Sequence, residues 1–81
     1  MTDTYTIKPL EWRYNPAENE HEAATTFGRF YVVYHNGFFR ARFELGPARE
    51  IIGTAFVTDD DAKAECQKVW NATIKQALEE V

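Results

Sequence analysis

Residues 26–45 decide the fold: Thr26-Phe27-Gly28-Arg29-Phe30-Tyr31-Val32-Val33-Tyr34-His35, then Asn36-Gly37, then Phe38-Phe39-Arg40-Ala41-Arg42-Phe43-Glu44-Leu45. Two runs rich in aromatic and β-branched residues flank a dipeptide suited to a type I′ turn. Both central residues of that turn need positive φ, and its twist matches that of the strands. A two-residue loop fixes the register, setting His35 opposite Phe38, Tyr34 opposite Phe39, Val32 opposite Ala41 and Phe30 opposite Phe43. One face then carries Phe30, Val32, Tyr34, Phe39, Ala41, Phe43 and Leu45, and that face is the predicted core. The other sets Arg29 across from Glu44, Tyr31 across from Arg42 and Val33 across from Arg40. Each such pair contributes about 0.2–1 kcal/mol.

Upstream, Leu10, Trp12 and Tyr14 alternate with Glu11 and Arg13, which predicts a strand over about 7–14. Pro9 cannot donate to a ladder, so this strand belongs at a sheet edge. The polar stretch from Asn15 to Glu22 reads as an exposed acidic loop. Downstream, Gly46-Pro47 is a turn and residues 51–57 read as a further strand, with apolar residues at both parities. Thr58 is a helix N-cap, and Asp59, Asp60 and Asp61 complement the dipole of the first turn. Asp61 takes the N3 place of a capping box. Ala62, Cys66, Val69, Trp70, Thr73, Ala77 and Val81 then recur at helical spacing, widened by Ile74 and Leu78. The helix is predicted over about 59–80.

These elements predict a single domain over residues 1–81 of the α+β class. An antiparallel sheet of three or four strands would carry one C-terminal helix across one face. Trp12, Phe30, Phe43, Val69 and Trp70 fall on the facing stripes and are expected to be largely buried.

Composition narrows the function. With 44% hydrophobic and 15% aromatic residues in 81, the chain is globular rather than disordered. No run of about 18 apolar residues is present to span a bilayer. Met1 to Tyr5 lacks the basic and apolar regions of a secretion signal. Cys66 is the only cysteine, so no internal disulfide can form, and the cytoplasm of a host cell is the expected setting. Cys66, His21 and His35 fall short of a structural zinc set, and no metal or cofactor is expected. Nucleophile-elbow, P-loop, zinc-protease and dinucleotide-binding motifs are all missing, so no catalytic residue is assigned. Cys66 itself sits in the apolar helical stripe, where a thiol is a small inert hydrophobe.

The net charge of −4 hides a division along the chain. Glu18, Glu20 and Glu22 crowd into residues 15–24, which hold no base. Arg29, Arg40, Arg42 and Arg49 face only Glu44 in residues 25–49. Residues 58–81 return to acid, led by Asp59, Asp60 and Asp61. Arg29, Tyr31, Arg40 and Arg42, with Phe38, could stack bases and neutralise phosphates, or supply the Tyr and Arg anchors of a protein interface. An ordinary solvated sheet face would look the same. The acidic total opposes a polyanion, so a protein partner is expected ahead of direct nucleic-acid binding. Its contact is expected through Glu18, Glu20, Glu22 and Asp59 to Asp61. Glu18, Glu20, His21 and Glu22 also have metal-ligand chemistry, but on a loop solvation is the favoured reading.

Ile7-Lys8-Pro9-Leu10-Glu11-Trp12, the run Thr25 to Val32, Asp60-Asp61-Ala62-Lys63-Ala64 and Ile74-Lys75-Gln76-Ala77-Leu78 together resemble a group of small phage and prophage proteins. At this size and acidity the chain also resembles anti-CRISPR proteins. The resemblance covers most of the chain but carries structural signatures rather than an active site. It implies a phage-encoded, non-catalytic inhibitor of host defence, a monomer or homodimer. Such a protein would bind a CRISPR–Cas effector, of type I, and block target DNA binding or nuclease recruitment. A small nucleic-acid-binding accessory protein using the outer sheet face is the alternative, and a structural phage component that works as an oligomer is a third.

Overall fold

The structure is a computed structural model that describes residues 7–79. Five strands precede one helix: β1 (Trp12–Asn15), β2 (Glu20–Ala24), β3 (Gly28–His35), β4 (Phe38–Leu45), β5 (Ala48–Phe56) and α1 (Asp59–Glu79). The strands form one antiparallel sheet in the order β1-β2-β3-β4-β5, each pairing with its neighbours in sequence. The fold is α+β with a C-terminal helix, and the sheet has five strands rather than three or four. Val81 and the predicted helix end at residue 80 lie outside the described residues.

Asn36 and Gly37 both take positive φ, 51° and 86°, as a type I′ turn demands. The eight pairs from His35↔Phe38 to Gly28↔Leu45 follow in the expected register. At the other end of this hairpin, Thr25 closes the entry to β3. Its hydroxyl accepts from the Phe27 and Gly28 amides at 3.1 Å and donates to the Gly28 carbonyl at 2.9 Å. Gly28 has φ 154° and lies so close to the Glu44 carbonyl oxygen that a Cβ there would collide with it. Only glycine fits.

The strand missing from the sequence reading is β2. Residues 20–22 leave the predicted loop and, with Ala23 and Ala24, pair with β1 on one side and β3 on the other. Its inward positions are His21 and Ala23, opposite Val32 and Phe30, and its outward ones are Glu20, Glu22 and Ala24. Only Pro16 to Asn19 remain as the turn, held by the Asn15 side-chain oxygen accepting from the Ala17 amide at 3.1 Å. Asn19, at φ 48°, donates its amide to the Pro16 carbonyl. The β1 strand is correspondingly shorter than predicted, and residues 7–11 precede it without pairing.

In β5 the register against β4 slips twice, between the pairs at Phe39, Ala41 and Arg42. Each slip is a bulge that inserts an extra residue and bends the strand. Both parities of residues 51–57 are apolar because apolar residues stand on both sides of this strand. Ile51 faces outward opposite Arg42, while Ile52 packs against the core.

Thr58 caps α1 as expected, its hydroxyl accepting the Asp61 amide at 3.1 Å. The helix packs across β3, β4 and β5. Phe30, Val32, Ala23, Ala41, Ala62 and Cys66 are fully buried between the layers. Trp12, Phe43, Val69 and Trp70, expected to be largely buried, are only half-buried. The reason is width. Five strands about 4.8 Å apart span more than a helix about 10–12 Å across can cover. Trp70 fills part of the margin, its ring 6.1 Å from Phe30 and 5.9 Å from Phe27.

Two substitutions test this arrangement. Phe30→Ala is expected to cost about 3–5 kcal/mol in denaturant unfolding, as fully buried phenylalanines do, and Phe43→Ala clearly less. Gly28→Ala should cost about 3 kcal/mol through the collision with the Glu44 carbonyl. Equal losses for Phe30 and Phe43, or a neutral Gly28→Ala, would contradict the packing described.

Candidate binding face

The helix covers one side of the sheet and leaves the other open. Cross-strand partners point the same way, so the register assigns side chains to that open side directly. One row runs Arg13, Glu22, Tyr31, Arg42, Ile51 across all five strands. A second runs Glu20, Val33, Arg40, and a third Ala24, Arg29, Glu44, Arg49. All five arginines of the protein therefore stand on the uncovered face. With Glu20, Glu22 and Glu44 among them the face has a balance of +2, while the rest of the chain carries −6 of the net −4.

The arginines are not equivalent. Arg42 lies over the Tyr31 ring, 4.2 Å from its centroid, and its Nη2 is 3.9 Å from Glu20 Oε2. Arg49 Nε is 3.8 Å from Glu44 Oε1. Among the described residues Arg13, Arg29 and Arg40 have neither an ion pair nor a hydrogen bond through their side chains. Beside Arg40 the face dips into a groove of about 360 Å³, floored by Val33 and Ile51 and walled by Glu18 and Glu20 on one side. Ile51 is 65% exposed there, an unusual place for isoleucine.

Glu20 is buried, at 9% exposure, and burial pushes its carboxyl pKa up. The Arg42 charge opposes that rise, while Glu18 and Glu22 add to it. The acids expected to share one exposed loop are thus divided. Glu18 alone sits in the turn; Glu20 and Glu22 stand among the arginines. Asp60 and Asp61 are exposed at the helix start, on the covered side of the sheet. Arg13 and Ile51 were missed as members of the face. The Arg13 signal lay in its alternation with Trp12 and Tyr14, and that of Ile51 in the unbroken pairing that the Gly46-Pro47 turn starts, from Leu45↔Ala48 to Arg42↔Ile51.

On the helix side, four groups gather where α1 begins. His21 Nε2 is 4.0 Å from Asp59 Oδ2, Lys63 Nζ donates to that oxygen at 3.3 Å, and Lys63 lies 5.7 Å from the Trp12 ring. The Tyr14 ring packs on His21 at 5.0 Å, and its hydroxyl donates to Asn19. Burial, with the Lys63 charge, lowers the His21 pKa, and Asp59 works against that fall. Burial disfavours the Asp59 carboxylate, yet the Lys63 hydrogen bond and charge, with His21 and the Asp60 amide, hold its pKa below the usual value. This cluster, with the Leu10 amide donating to Gln67 Oε1 at 2.7 Å, fastens the β1–β2 hairpin to the helix. Among the described residues no three His, Cys, Asp or Glu side chains converge as a metal site, and no helix is long and apolar enough to cross a membrane. The chain matches no protein-family model, no curated protein and no solved structure.

Two titrations are predicted. In the unfolded chain His21 takes up a proton near 6.5, while the folded chain resists it to lower pH. The unfolded state therefore binds more protons in that window, and stability falls as pH drops through it. Urea unfolding at pH 7 and about pH 5 should show a smaller loss for His21→Gln than for wild type; parallel losses would contradict this. The Cys66 thiol is buried and pushed up to about 12, first by burial and then by Glu65, against the pull of a backbone hydrogen bond. Thiol labelling near neutral pH should be slow until denaturant is added, and rapid native labelling would contradict it.

Proposed function

We propose that this chain acts by binding, with no chemistry of its own. Its open sheet face docks on a protein or ribonucleoprotein and occupies a surface that the partner needs. One observation carries the reading: five arginines share a face that none of the described elements covers, and three of them have no partner among the described residues. Arg and Tyr are the residues that most often dominate protein interfaces, and Tyr31 lies centrally beneath Arg42. The acidic docking expected from the sequence gives way to this face, because Glu20 and Glu22 belong to it. The setting is that of a phage-encoded inhibitor of host defence, which binds a CRISPR–Cas effector and blocks target DNA binding or nuclease recruitment. That setting rests on the resemblance; the choice of face rests on the arginines.

The test is affinity capture from nuclease-treated host lysate, with the captured subunits identified by mass spectrometry. Arg29→Ala/Arg40→Ala removes two unpaired charges and should weaken capture about tenfold, or 1.4 kcal/mol, with the unfolding midpoint nearly unchanged. Asp60→Asn/Asp61→Asn should capture as wild type does. Capture that survives the arginine changes but fails with the aspartate pair would return the site to the helix start. Capture that vanishes with nuclease would favour direct nucleic-acid binding.

A further inference from the structure

The open face has the parts of a nucleic-acid platform, with arginines around an aromatic ring on an uncovered sheet. It also has a feature that such platforms avoid. Glu20 and Glu22 occupy two of the three outward positions of β2 opposite β3, Ala24 holding the third, and Glu18 stands beside them in the adjoining turn. Resting on the reading above, we infer that Glu18, Glu20 and Glu22 set the specificity of this face. They turn an arginine platform into one that takes a single carboxylate side chain of a protein partner and rejects a nucleic-acid backbone.

The geometry divides the arginines into a fixed one and a free one. Arg42 is engaged by Glu20 at 3.9 Å and by Tyr31 at 4.2 Å, so its charge is already answered. Arg40 lies across from Val33 at the edge of the groove, exposed and without a partner among the described residues. A carboxylate seated on Arg40 brings one negative charge, and its neighbours in the partner chain can lie on Val33 and Ile51. A nucleic-acid strand brings a charge with every nucleotide, and those flanking the seated one would run along the glutamate wall. The three acids act together, since Glu18 and Glu22 both raise the pKa of the buried Glu20, behind burial itself and against Arg42. Repulsion of the wrong ligand is as effective a route to specificity as attraction of the right one. A second copy of the chain is a poorer occupant, because homodimer interfaces are depleted of charge where this face is rich in it.

The experiment uses the full chain and two probes. Fluorescein-labelled dT20 reports nucleic-acid affinity by anisotropy at low salt. The Glu18→Gln/Glu20→Gln/Glu22→Gln variant raises the balance of the face from +2 to +4 and removes the Glu18 charge beside it, and its affinity for dT20 should rise at least ~10-fold, with a steeper salt dependence. Adding Arg29→Ala/Arg40→Ala to that variant should abolish the gain. The second probe is a blocked tripeptide with one glutamate between two valines, titrated into labelled wild-type chain by NMR. It should move the amides of Val33, Arg40 and Arg42, and its glutamine analogue should not. Should the triple variant fail to fold, Glu18→Gln alone, at an exposed turn position, gives a smaller gain in the same direction. The inference is overturned if wild type binds dT20 as tightly as the glutamine variants, if those variants gain nothing, or if the glutamate tripeptide moves none of those amides. Failure of the docking reading is a separate result: partner capture indifferent to Arg29 and Arg40.

Discussion

Parity is the constraint from which the rest of this structure follows. Because the Asn36–Gly37 loop has two residues, His35 and Phe38 face each other, and every side chain of β3 and β4 is assigned to one side or the other. Phe30, Val32 and Ala41 go to the core; Arg29, Tyr31, Arg40 and Arg42 go to the open face. A slip of one residue would exchange the two sets, burying the arginines and exposing Phe30. The β2 strand inherits the same assignment by pairing with β3, and β1 inherits it from β2. The core and the arginine face therefore share one determinant, since the turn that makes the one also makes the other.

The second constraint is the mismatch between sheet and helix. One helix can bury a stripe but not the whole inner side of five strands, so the margins are filled by large rings that stay partly exposed. Lys63 illustrates how the margin is handled. Its stem reaches over Trp12 while its ammonium stays with Asp59, so a charged residue extends the apolar cover at little cost. The β1–β2 hairpin is held to the helix by such side-chain contacts, whereas β3, β4 and β5 lie directly beneath it.

What the sequence revealed and what it hid have physical causes. The β3–β4 hairpin was legible to the residue, because a two-residue turn and a strict alternation leave one register. Thr58 and the helix were legible for a similar reason, a side-chain oxygen placed one turn before an apolar period. The β2 strand was hidden because its inward positions hold His21 and Ala23, which are too polar or too small to mark a strand. Counting charge by segment then placed Glu20 and Glu22 with a loop, when their real neighbours are Arg42, Tyr31 and Arg13 across strands. Charge along a chain and charge across a face are different quantities in a sheet. Half of the outward positions in those rows, Arg29, Tyr31, Val33, Arg40, Arg42 and Glu44, follow from the hairpin alone.

The bulges of β5 bear on how this protein meets other chains. β5 is the longest strand and forms one border of the sheet, which is where stray backbones are usually templated into aggregates. Two breaks in register within nine residues spoil the even spacing of donors and acceptors that such templating requires. Flat, continuous edges recruit any extended peptide, whatever its sequence. A kinked border is poor at that, which leaves recognition to side chains, whose identities a partner can distinguish.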